Sequence, residues 1–379
     1  MKIGITCYPT VGGSGIVAST LGQLLAKKGF EVHFISYGEP YRLPEYHENI
    51  YYHEVEISDY PLFKHPPYSL TLTSKMVEVV QEYHLDILHV HYAIPHAISA
   101  YLAKEILNQH VKIITTLHGT DITLVGQEKS FFSVVQFALK KSDGITAVSH
   151  YLKEETLQIF GITSPSIEVI QNCVDTQIFR PNIPQCSKYQ STHKPFCKKE
   201  ESLFIHVSNF RPVKHILDVI EVFDRVRQKI PAHLIMVGEG PDLPAAREFV
   251  QKKKIRDQVT FVGNQQQVEV LLALSDIFLL TSRFESFGLA ALEAMSCGVP
   301  VLAARGGGIV EVIDQGETGF LCEPGNYEEM ANYALKIIQE PGCLQRMKQQ
   351  CRESVLKKFH EEIIVEQYIH YYQKIMNLP

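Results

Sequence analysis

Short runs rich in β-branched and apolar residues alternate with amphipathic helical stretches twice over, and this double alternation limits the fold more than any other feature of the chain. In the first half, strand patterns fall near 2–8, 31–37, 51–57, 86–92, 111–117, 144–149 and 167–171. Helical patterns lie between most of them, for example 15–28 and 95–108. After a break, strand patterns return near 202–208, 233–238, 259–262, 277–281, 299–303 and 319–322, again with helices between. Runs such as Ile277-Phe278-Leu279-Leu280 are apolar at every position, as befits parallel strands covered on both faces. Two βα arrays predict two doubly wound α/β domains, and 379 residues is an ordinary length for two.

The break lies at 180–201, which holds Pro181, Pro184 and Pro195 among Lys, Ser and Gln, with no periodicity. It reads as a linker or surface excursion. After 322 the pattern is helical only, over 326–338, 343–358 and 361–376. The last of these places Ile363, Ile364, Val365, Tyr368, Tyr371 and Tyr372 at helical spacing. The expected domains are therefore 1–170 and 171–360, with the helix at about 361–379 packing back on the first.

Charge narrows the function. The balance is 36 basic against 42 acidic side chains, a net −6. Residues 1–165 carry 12 and 16, the remainder 24 and 26, so neither half has the basic excess of a nucleic-acid binder. No apolar run approaches eighteen residues, so no membrane span is expected. Met1–Cys7 reads as a first strand and not as a signal peptide. The eight cysteines form no CxxC pair, which points to free thiols in a reducing cytoplasm and away from disulfides or structural zinc. His89 and His91 face the same side of a strand, but no third ligand stands at suitable spacing, so no metal site is expected.

Several motifs stand at strand ends. Gly12-Gly13-Ser14-Gly15 opens a helix after the first strand, where free N–H groups and the helix dipole favour an anion. Gly13-x-Gly15-x-x-Ala18 also matches a dinucleotide fingerprint. Pro9-Thr10-Val11 lengthen the loop, however, and Ser36-Tyr37-Gly38 supply no acidic residue after the second strand. His118-Gly119-Thr120-Asp121 ends another strand as a turn followed by a helix cap. In the second half, Arg211 and Lys214 follow a strand just as a helix begins, a natural clamp for a diphosphate. Then Glu285-Ser286-Phe287-Gly288-Leu289 leads to Glu293, an E-x7-E string. There Ser286 is placed to cap the helix, and carboxylates suit vicinal hydroxyls of a sugar or ribose. The residues by themselves indicate a two-domain α/β enzyme with an anionic, nucleotide-linked ligand.

The E-x7-E string, Arg211-x-x-Lys214, the glycine loop, His118, Gly238-Glu239-Gly240-Pro241 and Asn172-x-Val174-Asp175 together resemble the family-4 retaining glycosyltransferases. The resemblance covers essentially the whole chain. It implies the GT-B fold, two facing Rossmann-like domains with a cleft between them, the first for the acceptor and the second for the nucleotide sugar. Ile3–Tyr8 with Gly12–Gly15, Leu88–Ala97 and Thr116–Thr123 are similar to the members that transfer N-acetylglucosamine from UDP-N-acetylglucosamine (UDP-GlcNAc) to L-malate, the first step of bacillithiol synthesis.

Carried over, the resemblance implies that Arg211 and Lys214 hold the diphosphate and that Glu293 binds the ribose. Glu285 would bind the donor sugar beside the amides of Phe287, Gly288 and Leu289, and His118 would contact it near the reacting face. Asn209, Gly240, Ser286 and Gly13 complete the donor set. Ser14, Gly15, Tyr92 and Thr120 surround the acceptor, with the loop amides, Gly13 included, meeting a malate carboxylate. The expected catalytic set is His118, Arg211, Lys214 and Glu285, with no cofactor and no obligatory metal, since no D-x-D triplet is present.

The substrates are small molecules and a homo-oligomer is compatible with the pattern. Val310, where relatives carry Pro, changes local rigidity only, and 182–200 is idiosyncratic. Competing readings are another acceptor (a polyol phosphate or a lipid), a UDP-sugar epimerase, and a dehydrogenase. A hydrolase using Glu285 and Glu293 is disfavoured because both lie on one short segment.

Overall fold

The computed structural model describes residues 1–10, 12–43, 47–57, 64–181, 183 and 200–377. Most of the idiosyncratic stretch 182–200, with Cys186 and Cys197, lies outside the described residues. The chain divides into two compact units, Met1–Cys173 with Glu361–Pro379, and Val174–His360.

The first unit is a seven-stranded sheet of β1 (Lys2–Thr6), β2 (Glu31–Ser36), β3 (Ile50–Glu54), β4 (Ile87–His91), β5 (Lys112–Leu117), β6 (Gly144–Ala147) and β7 (Ile167–Val169). Its order is β3-β2-β1-β4-β5-β6-β7 and every pairing is parallel. The order reverses between β1 and β4, so the carboxyl ends of these two strands flank the switch point where ligands of open α/β sheets bind. The connections carry α1 (Gly13–Lys27), α2 (Tyr68–Tyr83), α3 (Ile98–Ile106), α4 (Thr120–Thr123), α5 (Phe132–Lys141) and α6 (His150–Phe160).

The expected helix over 95–108 is shorter than its pattern. Ala93–Ala97 form an irregular turn in which Ile94 is extended (φ −134°, ψ 134°), and α3 starts only at Ile98. Pro95 explains this, because it lacks an N–H and forces the residue before it out of helical geometry.

The second unit repeats the plan with β8 (Ser202–Val207), β9 (Ala232–Val237), β10 (Val259–Gly263), β11 (Ile277–Leu280), β12 (Val301–Ala304) and β13 (Gly319–Cys322). They run parallel in the order β10-β9-β8-β11-β12-β13, with the switch point between β8 and β11. Its helices are α7 (Ile216–Arg227), α8 (Leu243–Lys252), α9 (Val268–Leu274), α10 (Leu289–Ser296), α11 (Tyr327–Gln339) and α12 (Cys343–Lys358). The chain then returns to the first unit as α13 (Glu361–Met376).

The buried face of α13 carries Ile364, Val365, Tyr368, Tyr371, Tyr372 and Ile375. They join one apolar cluster with Ile3, Ile5 and Ile87 of the sheet and Leu21, Leu24 and Leu25 of α1. Fully burying a side chain of this size contributes about 1.5–3 kcal/mol, so α13 is part of the first core. No disulfide joins the described cysteines, and no described helix is long and apolar enough to cross a membrane.

Candidate active site

In the second unit, the residues singled out by sequence gather at the carboxyl ends of β8 and β11. His206 on β8 ties the two strands together. Its Nδ1–H donates to the Leu279 carbonyl at 2.8 Å, which leaves Nε2 to accept from the Ser208 hydroxyl at 2.7 Å. Burial lowers its pKa to about 4, so it is a neutral strut. The chain beyond β8 passes Asn209, which is exposed, and reaches a 3₁₀ turn, Pro212–Lys214. The Lys214 N–H donates to the Arg211 carbonyl at 2.8 Å, and the Thr281 hydroxyl after β11 donates to the His215 carbonyl at 2.9 Å. The Arg211 guanidinium is exposed and unpartnered among the described residues. Lys214 Nζ meets Glu285 Oε1 at 2.7 Å.

Glu285 is held by its backbone. Its N–H donates to the Gly306 carbonyl at 3.2 Å, and its carbonyl accepts from Gly308 N–H at 2.6 Å. A Cβ on Gly306 would stand 1.8 Å from the Arg283 carbonyl oxygen, so only glycine permits this approach. The expected cap is corrected here. Ser286 does not cap the helix; Gly288 is the N-cap of α10, at φ +98°, and no side chain caps it. The turn into α10 needs left-handed backbone at that point, which Ser disfavours. The first-turn N–H groups, from Leu289 on, therefore have no intrahelical acceptor and can meet an anion. Glu293 is one turn into α10 and almost fully buried, 6% exposed. Phe287 is buried against the Phe359 ring, and Leu289 is half-buried. Gly240 (φ +155°) passes so close to the Phe210 carbonyl that a Cβ would lie at 2.6 Å.

In the first unit, Gly12 is the N-cap of α1 in extended backbone. The glycines after it differ. A Cβ added to Gly13 would meet nothing within 4 Å, whereas one on Gly15 would meet the Tyr8 and Thr10 carbonyls at 2.6 and 2.8 Å. Gly13 is thus open to a ligand, while Gly15 is required by the chain itself. Ser14 lies beside them, half-buried.

The acceptor candidates Tyr92 and Thr120 are hydrogen-bonded to each other through their hydroxyls. The Tyr92 ring stacks on His118 at 5.9 Å between centroids. His118 Nε2 in turn lies 2.9 Å from Nδ1 of His91, the last residue of β4.

Three contributors here were not named as site residues from sequence. Asp121 was read as part of a turn and cap, but α4 is a single turn whose N-cap is Gly119, with no side-chain cap. The carboxylate instead accepts from His118 N–H at 3.1 Å, Gly119 N–H at 2.8 Å and Ala93 N–H at 3.0 Å, joining the loops after β4 and β5. Burial raises its pKa, and these amides oppose that rise. His91 and His96 are the others, and the His-x-His on one strand face was the available signal. Burial holds the imidazoles neutral: the pKa falls to about 3 for His89 and His118 and about 4 for His96, and His91 is also lowered well below 6.5.

Two parallel sheets, each with its ligand-type groups at its own switch point, describe a glycosyltransferase of the GT-B fold, and the comparisons agree. Residues 11–178 match the family model for Glycosyltransferase Family 4, and residues 190–354 that for Glycosyl transferases group 1. The chain belongs to the family-4 glycosyltransferases. A Bacillus anthracis protein named N-acetyl-alpha-D-glucosaminyl L-malate synthase is 45% identical over 377 residues, 99% of this chain and 97% of its own. Among solved structures, a glycosyltransferase from Rickettsia africae superposes with TM-score 0.81 at 23% identity, covering 100% and 99% of the two chains. Anabaena HepE, solved with UDP and glucose, gives 0.82 at 18% identity over 98% and 99%.

Proposed function

We propose that this protein moves N-acetylglucosamine from UDP-GlcNAc to the hydroxyl of L-malate with retention at the anomeric carbon, a cytoplasmic step that opens bacillithiol synthesis. The observation that carries this reading is the 45% identity, end to end, with the Bacillus anthracis relative whose name states that product. In the reaction the bond from C1 to the β-phosphate oxygen breaks and one from C1 to the malate hydroxyl oxygen forms on the same face. The hydroxyl proton leaves with UDP.

In this reading Arg211 and Lys214 hold the diphosphate and offset the charge that grows on it as the bond breaks. The amides opening α10, near Phe287, Gly288 and Leu289, add to this. A single contact of this kind contributes about 10²–10³ in rate. Glu293 binds the ribose hydroxyls and Glu285 the hydroxyls of the sugar, while Asn209, Gly240 and Ser286 line the donor. At the opening of α1, the amides of Gly13, Ser14 and Gly15 suit a malate carboxylate, with Tyr92 and Thr120 beside it. No cofactor or obligatory metal enters the scheme.

The test is UDP release from UDP-GlcNAc with and without L-malate, followed by the mass of the product. Malate-dependent release with a product equal to the condensed pair is expected. Conversion of the donor without acceptor would replace this reading with an epimerase or hydrolase. UDP binding without turnover would keep the donor half and reject malate.

A further inference from the structure

His91 is fully buried, ends β4, and lies outside the donor and acceptor sets above. Its ring is packed between His89, at 4.5 Å, and His118, at 5.1 Å. Each neighbouring imidazole is pinned differently. His89 is satisfied on both nitrogens, by the Tyr372 hydroxyl at 2.7 Å and the Thr116 hydroxyl at 2.6 Å. His96 Nδ1 lies 2.6 Å from the His91 carbonyl, which can only accept, so His96 carries its proton on Nδ1. His91 has one side-chain hydrogen bond, to His118 at 2.9 Å, and its Nε2 is buried with no partner.

Both rings are neutral, because charging either would place a cation among buried imidazoles. One nitrogen of the pair must then donate and the other accept, which leaves two arrangements. If His118 donated from Nε2, His91 would hold its own proton on Nε2, a buried N–H with no acceptor. If His91 donates from Nδ1, only a bare lone pair is left unpaired at its Nε2. Orphaned buried N–H groups are the rarer defect in folded proteins. The second arrangement wins, and it leaves the His118 proton on Nδ1, the ring nitrogen that has no partner among the described residues.

We infer that His91 is a positioning residue that fixes His118 as its Nδ1–H tautomer, so that His118 meets the substrate as a neutral hydrogen-bond donor. The basic lone pair of His118 is turned inward and occupied. No imidazole lone pair then faces the anomeric carbon as positive charge grows there, and none competes for the acceptor's proton, which passes from the acceptor hydroxyl to the departing phosphate. The kinetic part of this inference rests on the proposed transfer; the tautomer does not.

The experiment has two readouts. In the unliganded full chain labelled with ¹⁵N-histidine, two-bond ¹⁵N–¹H spectra identify the protonated nitrogen of each ring, and the H118Q variant assigns the His118 signals by their loss. Nδ1 is expected to be the protonated nitrogen of His118. Protonation at Nε2 overturns the inference, whatever the protein catalyses.

The second readout compares His91→Leu with His91→Asn, whose side-chain amide presents a donor close to the place of Nδ1. His91→Leu is expected to lower kcat tenfold or more, with a smaller change in KM for the donor, and to give His118 a mixture of tautomers. His91→Asn is expected to restore both. Loss of activity in both variants with the His118 tautomer unchanged would reduce His91 to packing and reject the inference. Wild-type protein that shows the tautomer but no malate-dependent turnover would instead reject the proposed function alone.

Discussion

Lys214 Nζ and Glu285 Oε1 lie 2.7 Å apart although 71 residues separate them in sequence. The cation assigned to the diphosphate and the carboxylate assigned to the sugar thus neutralise each other. A sugar nucleotide would replace the pair by two contacts of matching sign, phosphate on Lys214 and hydroxyls on Glu285. Water offers only a poorer exchange.

Lys214→Ala is therefore expected to lower kcat/KM by about 10²–10³. Stability should hardly change, since the pair is only partly buried, with side-chain exposures of 22% and 12%, and such pairs contribute little. Steady-state kinetics beside a thermal melt checks both halves. Near-normal turnover in a folded variant would remove Lys214 from the site.

The buried imidazoles make stability depend on pH in a direction that can be derived. His89, His96, His118 and His206 have pKa values pulled by burial from the usual 6.5 down to about 3 or 4. Below pH 6.5 the unfolded chain binds protons that the folded chain refuses. The stability these groups contribute is therefore complete above 6.5 and is lost as pH falls towards 4 and then 3. Each group contributes a slope of up to about 1.4 kcal/mol per pH unit in that window. Asp121, raised by burial, works in the opposite sense and offsets a part. The urea midpoint is expected to drop steeply between pH 6.5 and 4.5, with net proton uptake on unfolding. A flat midpoint across that range would show that these rings are not held neutral.

Fold and site were unequally legible in the sequence. Parallel strands buried on both faces leave long apolar runs, so both sheets could be read to within three residues at each strand end, the widest miss being the end of β3. The bounds of α12 and α13 coincide with their patterns at 343–358 and 361–376. The strand-end motifs at 118, 211–214 and 285–293 were also legible as candidates, because ligand-type residues placed directly after buried strands stand out.

Pairings across the fold were hidden. Nothing in the spacing of Lys214 and Glu285, or of His91 and His118, says that they touch, since strand order decides it. Ser286 looked like the cap of α10 because the residue type suits one, whereas the backbone needed a left-handed residue and used Gly288 two positions on. Asp121 was hidden for a similar reason, because one of its three amide partners, Ala93, comes from a different loop.

The glycine loop separates into two experiments. Gly15→Ala must push a methyl against two carbonyl oxygens at 2.6 and 2.8 Å, so a destabilisation of roughly 1–3 kcal/mol is expected. Gly13→Ala meets nothing within 4 Å and should melt as the wild type does. If the acceptor carboxylate approaches this helix opening, Gly13→Ala should still raise KM for malate severalfold. Paired melts and acceptor titrations decide it; an unchanged KM would move the carboxylate away from Gly13.

Glu293 tests the donor half apart from chemistry. It is buried one turn into α10, and in the proposed reading its carboxylate accepts from two ribose hydroxyls. Glu293→Gln keeps the shape and removes the charge, so KM for UDP-GlcNAc and Kd for UDP should rise together, by about tenfold for one charge-assisted hydrogen bond of roughly 1.5 kcal/mol. Calorimetry with UDP alone measures this without turnover. Unaltered UDP affinity would place the ribose elsewhere.

The last prediction concerns α13, the segment that returns from the second unit to complete the first. The fully buried Tyr372 hydroxyl is 2.7 Å from His89 Nδ1, and His89 Nε2 meets Thr116, whose hydroxyl also bonds Thr146 at 2.6 Å. A side chain of the final helix thus terminates a polar chain that runs across β4, β5 and β6 inside an otherwise apolar core. Tyr372→Phe keeps the ring in the cluster but leaves His89 Nδ1 buried without a partner, a loss of about 1–3 kcal/mol. Because His89 is satisfied separately from the His91–His118 pair, kcat should stay within about twofold while the urea midpoint falls. A variant that kept its stability would mean that His89 had found another partner, and one that lost kcat at full stability would tie α13 to the His118 array.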